Sequence, residues 1–211
     1  SSTVSVCEDR GRLVVIAWKS ASAIVQQSAA NLTISVPSVS DGDCMICVIG
    51  GTTNGQIPAI SGWYQELSQT STNFSGQRTI LRRVASSEPA NYSTTGLSAG
   101  TNYGLIFVLS GTDVWSPVHK ISGTDKTNSG TALTCTAIVP TIDGCMILEV
   151  VPQPNVATVS AWTDGTIPLS WTEQVDTSSA AASIAIATAS QTTATSIAPT
   201  ATNSSSEFAH M

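Results

Sequence analysis

Five cysteines, two histidines and a thin scatter of acids are the residues of this 211-residue chain most able to do chemistry. Cys44-Met-Ile-Cys47 has the C-x-x-C spacing used by redox and zinc sites. On a strand, however, residues three apart face opposite sides of the sheet. No second cysteine pair or nearby histidine supports a metal, so the cysteines read as small buried hydrophobes. The odd set Cys7, Cys44, Cys47, Cys135 and Cys145, in mostly apolar surroundings, argues against a disulfide framework. Such a thiol-rich chain is most easily made in a reducing cytoplasm. His119 precedes Lys120 and His210 lies near the end, neither with a cysteine or acid at ligand spacing. Asp41, Asp43 and Asp143 fall in Asp-Gly turns, and calcium wants about six to eight converging oxygens. Turn chemistry accounts for them. No G-x-S-x-G, HExxH or phosphate-binding glycine loop is present. Glu66 and Glu173 would make a glycosidase pair only if the fold brought them into one cleft; two surface acids are the simpler reading. The sequence therefore predicts no catalytic, cofactor or metal site, and no enzyme.

The aromatic residues offer more. Trp63 and Trp171 each follow an Ile-Pro segment beside an apolar strand, and read as core plugs. Trp115 and Trp162 lie in predicted loops with no counterpart elsewhere. They are the candidate interface or glycan contacts, since aromatic anchors are enriched at interfaces. Arg78, Arg82 and Arg83 form one basic cluster, read as solvated strand-face residues. A formal net charge of -6 and an isoelectric point near 4.6 disfavour a nucleic-acid partner, which needs a basic stripe. The longest apolar runs, Leu13–Trp18 and Leu105–Leu109, are too short to span a bilayer as a helix, so no membrane insertion is expected.

The elements that must position these residues are strands. Ser and Thr interleave with Val and Ile in short alternating runs bounded by Gly, Pro, Asn and Asp. Leu32-Thr-Ile-Ser-Val36 alternates and Pro37 ends it. Leu13–Trp18, Cys44–Ile49 and Tyr103–Leu109 are continuous and apolar, as in strands buried on both faces. A short helix is allowed at Ala21–Ala29. Trp115–Gly130 reads as one long polar connection.

One stretch occurs twice. Val36-Pro-Ser-Val-Ser-Asp-Gly-Asp-Cys-Met-Ile returns as Val139-Pro-Thr-Ile-Asp-Gly-Cys-Met-Ile. On this basis the sequence predicts an N-terminal arm or edge strand at 1–11, one β-sandwich repeat at 12–103 and a second at 104–211. Tyr103–Leu109 would correspond to Leu13–Trp18, and Cys145–Val151 to Cys44–Ile49. The copies could be separate small sandwiches or two halves of one pseudo-symmetric sandwich. No linker separates them, which favours the second arrangement. The predicted class is all-β: an antiparallel, jelly-roll-like sandwich with few or no helices.

Four segments carry a family resemblance. They are Val36-Pro to Asp43, Ile57-Pro58 followed by Gly62-Trp63, Arg78 to Ala85 with its double arginine, and Ser87-Glu-Pro-Ala-Asn-Tyr92. With Leu109-Ser-Gly-Thr-Asp113, they make the chain resemble virion surface proteins of tailed bacteriophages. That resemblance implies a jelly-roll or lectin-like module on the particle exterior, as capsid decoration, head fibre or tail-fibre component. It implies assembly with other capsid or tail proteins, a homo-oligomer, manufacture in the host cytoplasm, and attachment to a host-surface glycan. It carries no catalytic residues. A carbohydrate-binding module using an exposed Trp or Tyr platform is the alternative. Residues 1–11 and Ser204–Met211 are the segments expected to add a strand to a neighbour's sheet edge.

Overall fold

The structure, a computed structural model, describes residues 2–6, 15–28, 31–53, 57–70, 76–124, 131–165 and 167–205. Every regular element among them is a strand, and none is a helix. In chain order the first nine are β1 (Ser2–Val6), β2 (Ala17–Ala21), β3 (Val25–Gln27), β4 (Thr33–Ser35), β5 (Cys44–Gly51), β6 (Tyr64–Thr70), β7 (Gln77–Val84), β8 (Asn91–Ser93) and β9 (Asn102–Ser110). The remainder are β10 (Val118–Gly123), β11 (Ala132–Thr134), β12 (Cys145–Gln153), β13 (Val159–Asp164), β14 (Trp171–Ser178), β15 (Ser183–Gln191) and β16 (Pro199–Asn203).

Two large antiparallel sheets pack face to face. The first runs β2-β9-β5-β7-β6, with β3 also on β9; the second runs β10-β1-β12-β15-β14. Ile46, Val48, Leu105 and Phe107 of the first sheet meet Val4, Leu148, Val150 and Ile186 of the second in one central core. The outer face of each sheet is covered in turn. The β4-β8 pair lays Ile34 and Tyr92 over Met45, Cys47 and Ile106. The β11-β16-β13 sheet lays Leu133, Ala201 and Val159 over Val151 and Ala185. This four-layer stacking explains the unbroken apolar runs: β5, β9 and β12 are buried along both faces.

The all-β sandwich class follows from the sequence; several placements differ from it. Ser2–Val6 is no arm. It lies inside the second sheet, hydrogen-bonded to β10 on one side and β12 on the other, with all five residues buried. Its period-2 apolar pair Val4/Val6 faces the central core, while its remaining pairing partners lie more than a hundred positions away. The boundary at 103/104 cuts through β9, whose place beside β5 is the place β1 takes beside β12. Tyr103–Leu109 therefore matches β1, and not the Leu13 segment. Of that segment, Leu13 and Val14 lie outside the described residues, and Val15 is 76% exposed. Ala21–Ala29 holds no helix among its described residues; it begins at the end of β2 and carries β3. Trp115–Gly130 contains β10.

The repeated Cys-Met-Ile is out of phase with the sheets. Cys44 faces the central core, whereas Cys145 faces an outer cluster with Ile138, Ile147 and Ile197. Asp43 separates Gly42 from Cys44, but Gly144 joins Cys145 directly, and a one-residue step turns every side chain to the other face. Matched on the turn glycines, both at positive φ (89° and 77°), Cys44 shares its place with Met146. Further along, β6 and β14 take the same edge position in their sheets, Trp63 precedes β6 as Trp171 opens β14, and each strand has a bulge, between Gln65 and Leu67 and between Glu173 and Val175.

Candidate functional site

The turn acids are occupied by the backbone. Asp41 Oδ1 accepts the Ser87 amide at 2.8 Å, and Asp143 Oδ1 accepts the Ala194 amide at 2.6 Å. Asp43 Oδ2 accepts the Ser40 amide at 2.8 Å and Lys19 Nζ at 2.6 Å. Glu66 and Glu173 belong to β6 and β14. These are edge strands of different sheets, and β6 lies against β10, at the far side of the second sheet from β14. They share no cleft. His119 Nε2 is 3.0 Å from Thr141 Oγ1, and His210 lies outside the described residues.

Cys44, Cys47 and Cys135 are buried free thiols, as small hydrophobes would be. Burial pushes the Cys44 thiol up to about 12, and Cys47 is raised by the same cause. Cys145 departs from that reading, being disulfide-bonded. Cys7 lies outside the described residues.

Of the two singled-out tryptophans, Trp162 is on β13 and not in a loop. Its ring packs on the Val151–Ala185 cluster, and its Nε1 donates to Glu173 Oε2 at 3.0 Å. Trp115 is in the β9–β10 loop, 88% exposed, its amide bonded to Asp113 Oδ1 at 2.8 Å. The structure thus separates the two, and gives Trp115 a setting.

That setting is an open groove of about 520 Å³ lined by Gly62, Tyr64, Arg82, Arg83, Val114 and Trp115 among others. Tyr64 and Arg82 are direct cross-strand partners on β6 and β7, so their side chains rise from the same face. The Arg82 guanidinium carbon sits 5.0 Å from the Tyr64 ring centroid, a cation–π contact. Arg82 Nε donates to Glu66, which sits at the β6 bulge. Tyr64 is 67% exposed. The β9–β10 loop, crossing from one large sheet to the other, brings Val114 and Trp115 to the same groove.

Behind the groove lies a second layer. Arg83 Nε donates to both Glu88 oxygens at 3.0 and 3.1 Å, and its Nη1 to the Gly62 carbonyl at 3.1 Å. Gly62 has φ +78°, a conformation that favours glycine, and a Cβ there would come within 2.8 Å of Arg83 Nη1 and push the guanidinium aside. Glu88 also accepts the Ser86 amide at 2.7 Å and the Tyr92 hydroxyl. Burial alone would raise the Glu88 carboxyl; the Tyr92, Ser86 and Arg83 bonds together outweigh it and hold it below the ordinary range. Tyr92 is pushed up to about 12, by burial first and then by its bond to Glu88. The Tyr92 ring meets Trp63 edge-on at 5.2 Å, and Trp63 packs on the outer core of the first sheet, as its core-plug reading required.

Arg78 does not share the solvated position expected of it. It is fully buried, with Nη1 donating to the Thr124 carbonyl at 2.8 Å and Nη2 to Gln69 Oε1. Its alternation partner Arg82 is the one that reaches the groove. Tyr64, Arg82, Arg83 and Gly62 carried no site signal in the sequence beyond the Gly-Trp and double-arginine patterns.

Among the described residues, the groove lining contains no carboxylate, imidazole or thiol. It offers flat aromatic surface and guanidinium donors, which suits binding of a polar, ring-shaped ligand. Comparisons with protein-family models, with curated proteins and with solved structures find no match to this chain.

Proposed function

We propose that this chain is a non-enzymatic module of a bacteriophage particle's exterior, assembled through protein contacts and holding a host-surface saccharide in the Tyr64–Trp115 groove. The observation that carries the binding reading is the exposure of Tyr64 and Trp115 on one groove beside two arginines. Two aromatic side chains exposed on one groove offer flat faces on which a sugar ring can stack. The particle reading draws on the resemblance, and its motif residues meet in space: Gly62, Trp63, Arg83, Glu88 and Tyr92 form one bonded network under the groove. A mildly acidic surface suits an exterior position, away from packaged DNA. A disulfide at Cys145 suits the oxidising surroundings of a particle surface. Assembly into a homo-oligomer is part of the same proposal, with the outer strand β14 as the sheet edge offered to a neighbour.

The groove also favours a second reading, a carbohydrate-binding module that belongs to no particle. Imaging and copy-number measurement on intact particles separates the two, because a fixed stoichiometry per particle is expected only for the first. For the groove itself, a glycan array is probed with the native protein and with Trp115→Ala. Binding that the substitution abolishes is the expected result. An array on which the native protein binds nothing removes the saccharide from the proposal.

A further inference from the structure

We infer that the saccharide taken by this groove carries a carboxylate, as a uronic acid residue does; the inference rests on the saccharide reading above. It is carried by how the two arginines are held. Each guanidinium is gripped along its Nε edge by an acid: Arg82 by Glu66, Arg83 by both oxygens of Glu88. Neither Glu66 nor Glu88 lines the groove, whereas both arginines do. The acids therefore orient the guanidiniums without covering them on the groove side. Among the described residues, the terminal nitrogens of Arg82 make no hydrogen bond, and of those of Arg83 only Nη1 does, to the Gly62 carbonyl.

A guanidinium fixed in this way is a preorganised fork for a planar, two-oxygen anion, because parallel N–H donors match a carboxylate. Tyr64 adds to the preorganisation, its ring holding the Arg82 guanidinium in place. The chain as a whole carries a formal charge of -6, so nonspecific attraction for an anion is not available. Selection must come from these short-range donors. The exposed Trp115 and Tyr64 rings then supply stacking for the sugar ring that bears the carboxylate.

The test is titration calorimetry with a galacturonate tetrasaccharide and with the same oligosaccharide after reduction of its carboxyl groups to alcohols. The native protein is expected to bind the acidic form at least about tenfold more tightly, a difference of about 1.4 kcal/mol. Arg82→Gln should erase the preference, and Trp115→Ala should weaken both forms in parallel. Arg82→Lys keeps a cation beside Glu66 but not the fork. It serves as the check if the glutamine variant does not fold, and should lower the preference by at least threefold. Equal affinity of the native protein for the two sugars overturns the carboxylate assignment while leaving saccharide binding intact. A preference that survives both Arg82 variants overturns it as well. Failure of the native protein to bind these sugars and every sugar on the array overturns both readings.

Discussion

Thr3 Oγ1 donates to Glu149 Oε2 at 2.9 Å, joining residues 146 positions apart inside the second large sheet. Both side chains are buried, and the other carboxyl oxygen, Oε1, accepts the Cys135 thiol at 2.9 Å. A buried acid that loses a donor bears the desolvation cost of the exposed lone pair. Thr3→Val keeps the shape and removes the hydroxyl. It should lower stability by about 1–3 kcal/mol, measured by urea unfolding followed by circular dichroism. A midpoint equal to that of the parent would mean the bond is not made in solution.

Removal of residues 2–6 has a larger expected effect. It vacates the slot between β10 and β12 and takes Val4 and Val6 from the central core. Two buried valines contribute about 1.5–3 kcal/mol each, and the ladder bonds about 0.5–1.5 kcal/mol apiece. The truncated chain should lose about 5 kcal/mol or more, which is the whole stability of many domains. A synthetic peptide of sequence Ser-Thr-Val-Ser-Val, added in excess, should restore part of the loss. Cooperative unfolding at the parent midpoint without any peptide would contradict the structure.

Thiol chemistry should divide the cysteines. Cys44 and Cys47 are raised by burial, so neither should react with a thiol reagent at pH 8 until the chain unfolds. The sign for stability follows. The Cys44 contribution is full below the unfolded thiol value of about 8.5 and is lost as pH rises toward the folded value of about 12. Cys145 behaves differently, since it is already disulfide-bonded. Reduction, or Cys145→Ser, should lower stability by about 2–4 kcal/mol, read as a shift of the thermal midpoint. An unchanged midpoint under reductant would show the bond to be absent or without consequence.

Glu88 should be the acid-sensitive residue of the layer behind the groove. Its carboxyl is held below the ordinary range, so its contribution is present above the unfolded value of about 4.3 and is lost as pH falls through the lower folded value. Glu88→Gln weakens the bonds from Arg83, Tyr92 and the Ser86 amide. It should cost about 2–3 kcal/mol at pH 7, and the gap from the parent should close as pH falls through the lower folded value. A difference constant from pH 7 to pH 3 would argue that the effect is one of shape and not of charge.

Much of the sheet framework was legible because its signals are local. Cys44–Ile49 and Tyr103–Leu109 announce burial on both faces and Leu32–Val36 on one, and the structure buries the first two throughout and Leu32 and Ile34 of the third. The role of Ser2–Val6 was not legible, because its partners are β10 and β12, far along the chain. The repeated Cys-Met-Ile misled for a geometric reason. Composition is conserved between the two stretches while phase is not, and in a strand phase decides the face. Arg78 illustrates the same limit: nothing nearby in sequence foretells that Gln69 and Thr124 would hold it. Within the groove, Trp115 stood out alone. Tyr64 and Arg82 join it only through a ladder register and a loop crossing between sheets.

The place of β1 bears on how the protein is made. A ribosome adding roughly 5–20 residues per second delivers Ser2–Val6 long before Cys145–Gln153, leaving it without its central neighbour for on the order of ten seconds. The half that contains β2 to β9 can close in that interval, whereas the other half must retrieve a strand made well before its partners to finish. Nascent chains caught before Gln153 emerges should therefore be vulnerable to proteases at Ser2–Val6 while the β2–β9 half is already resistant.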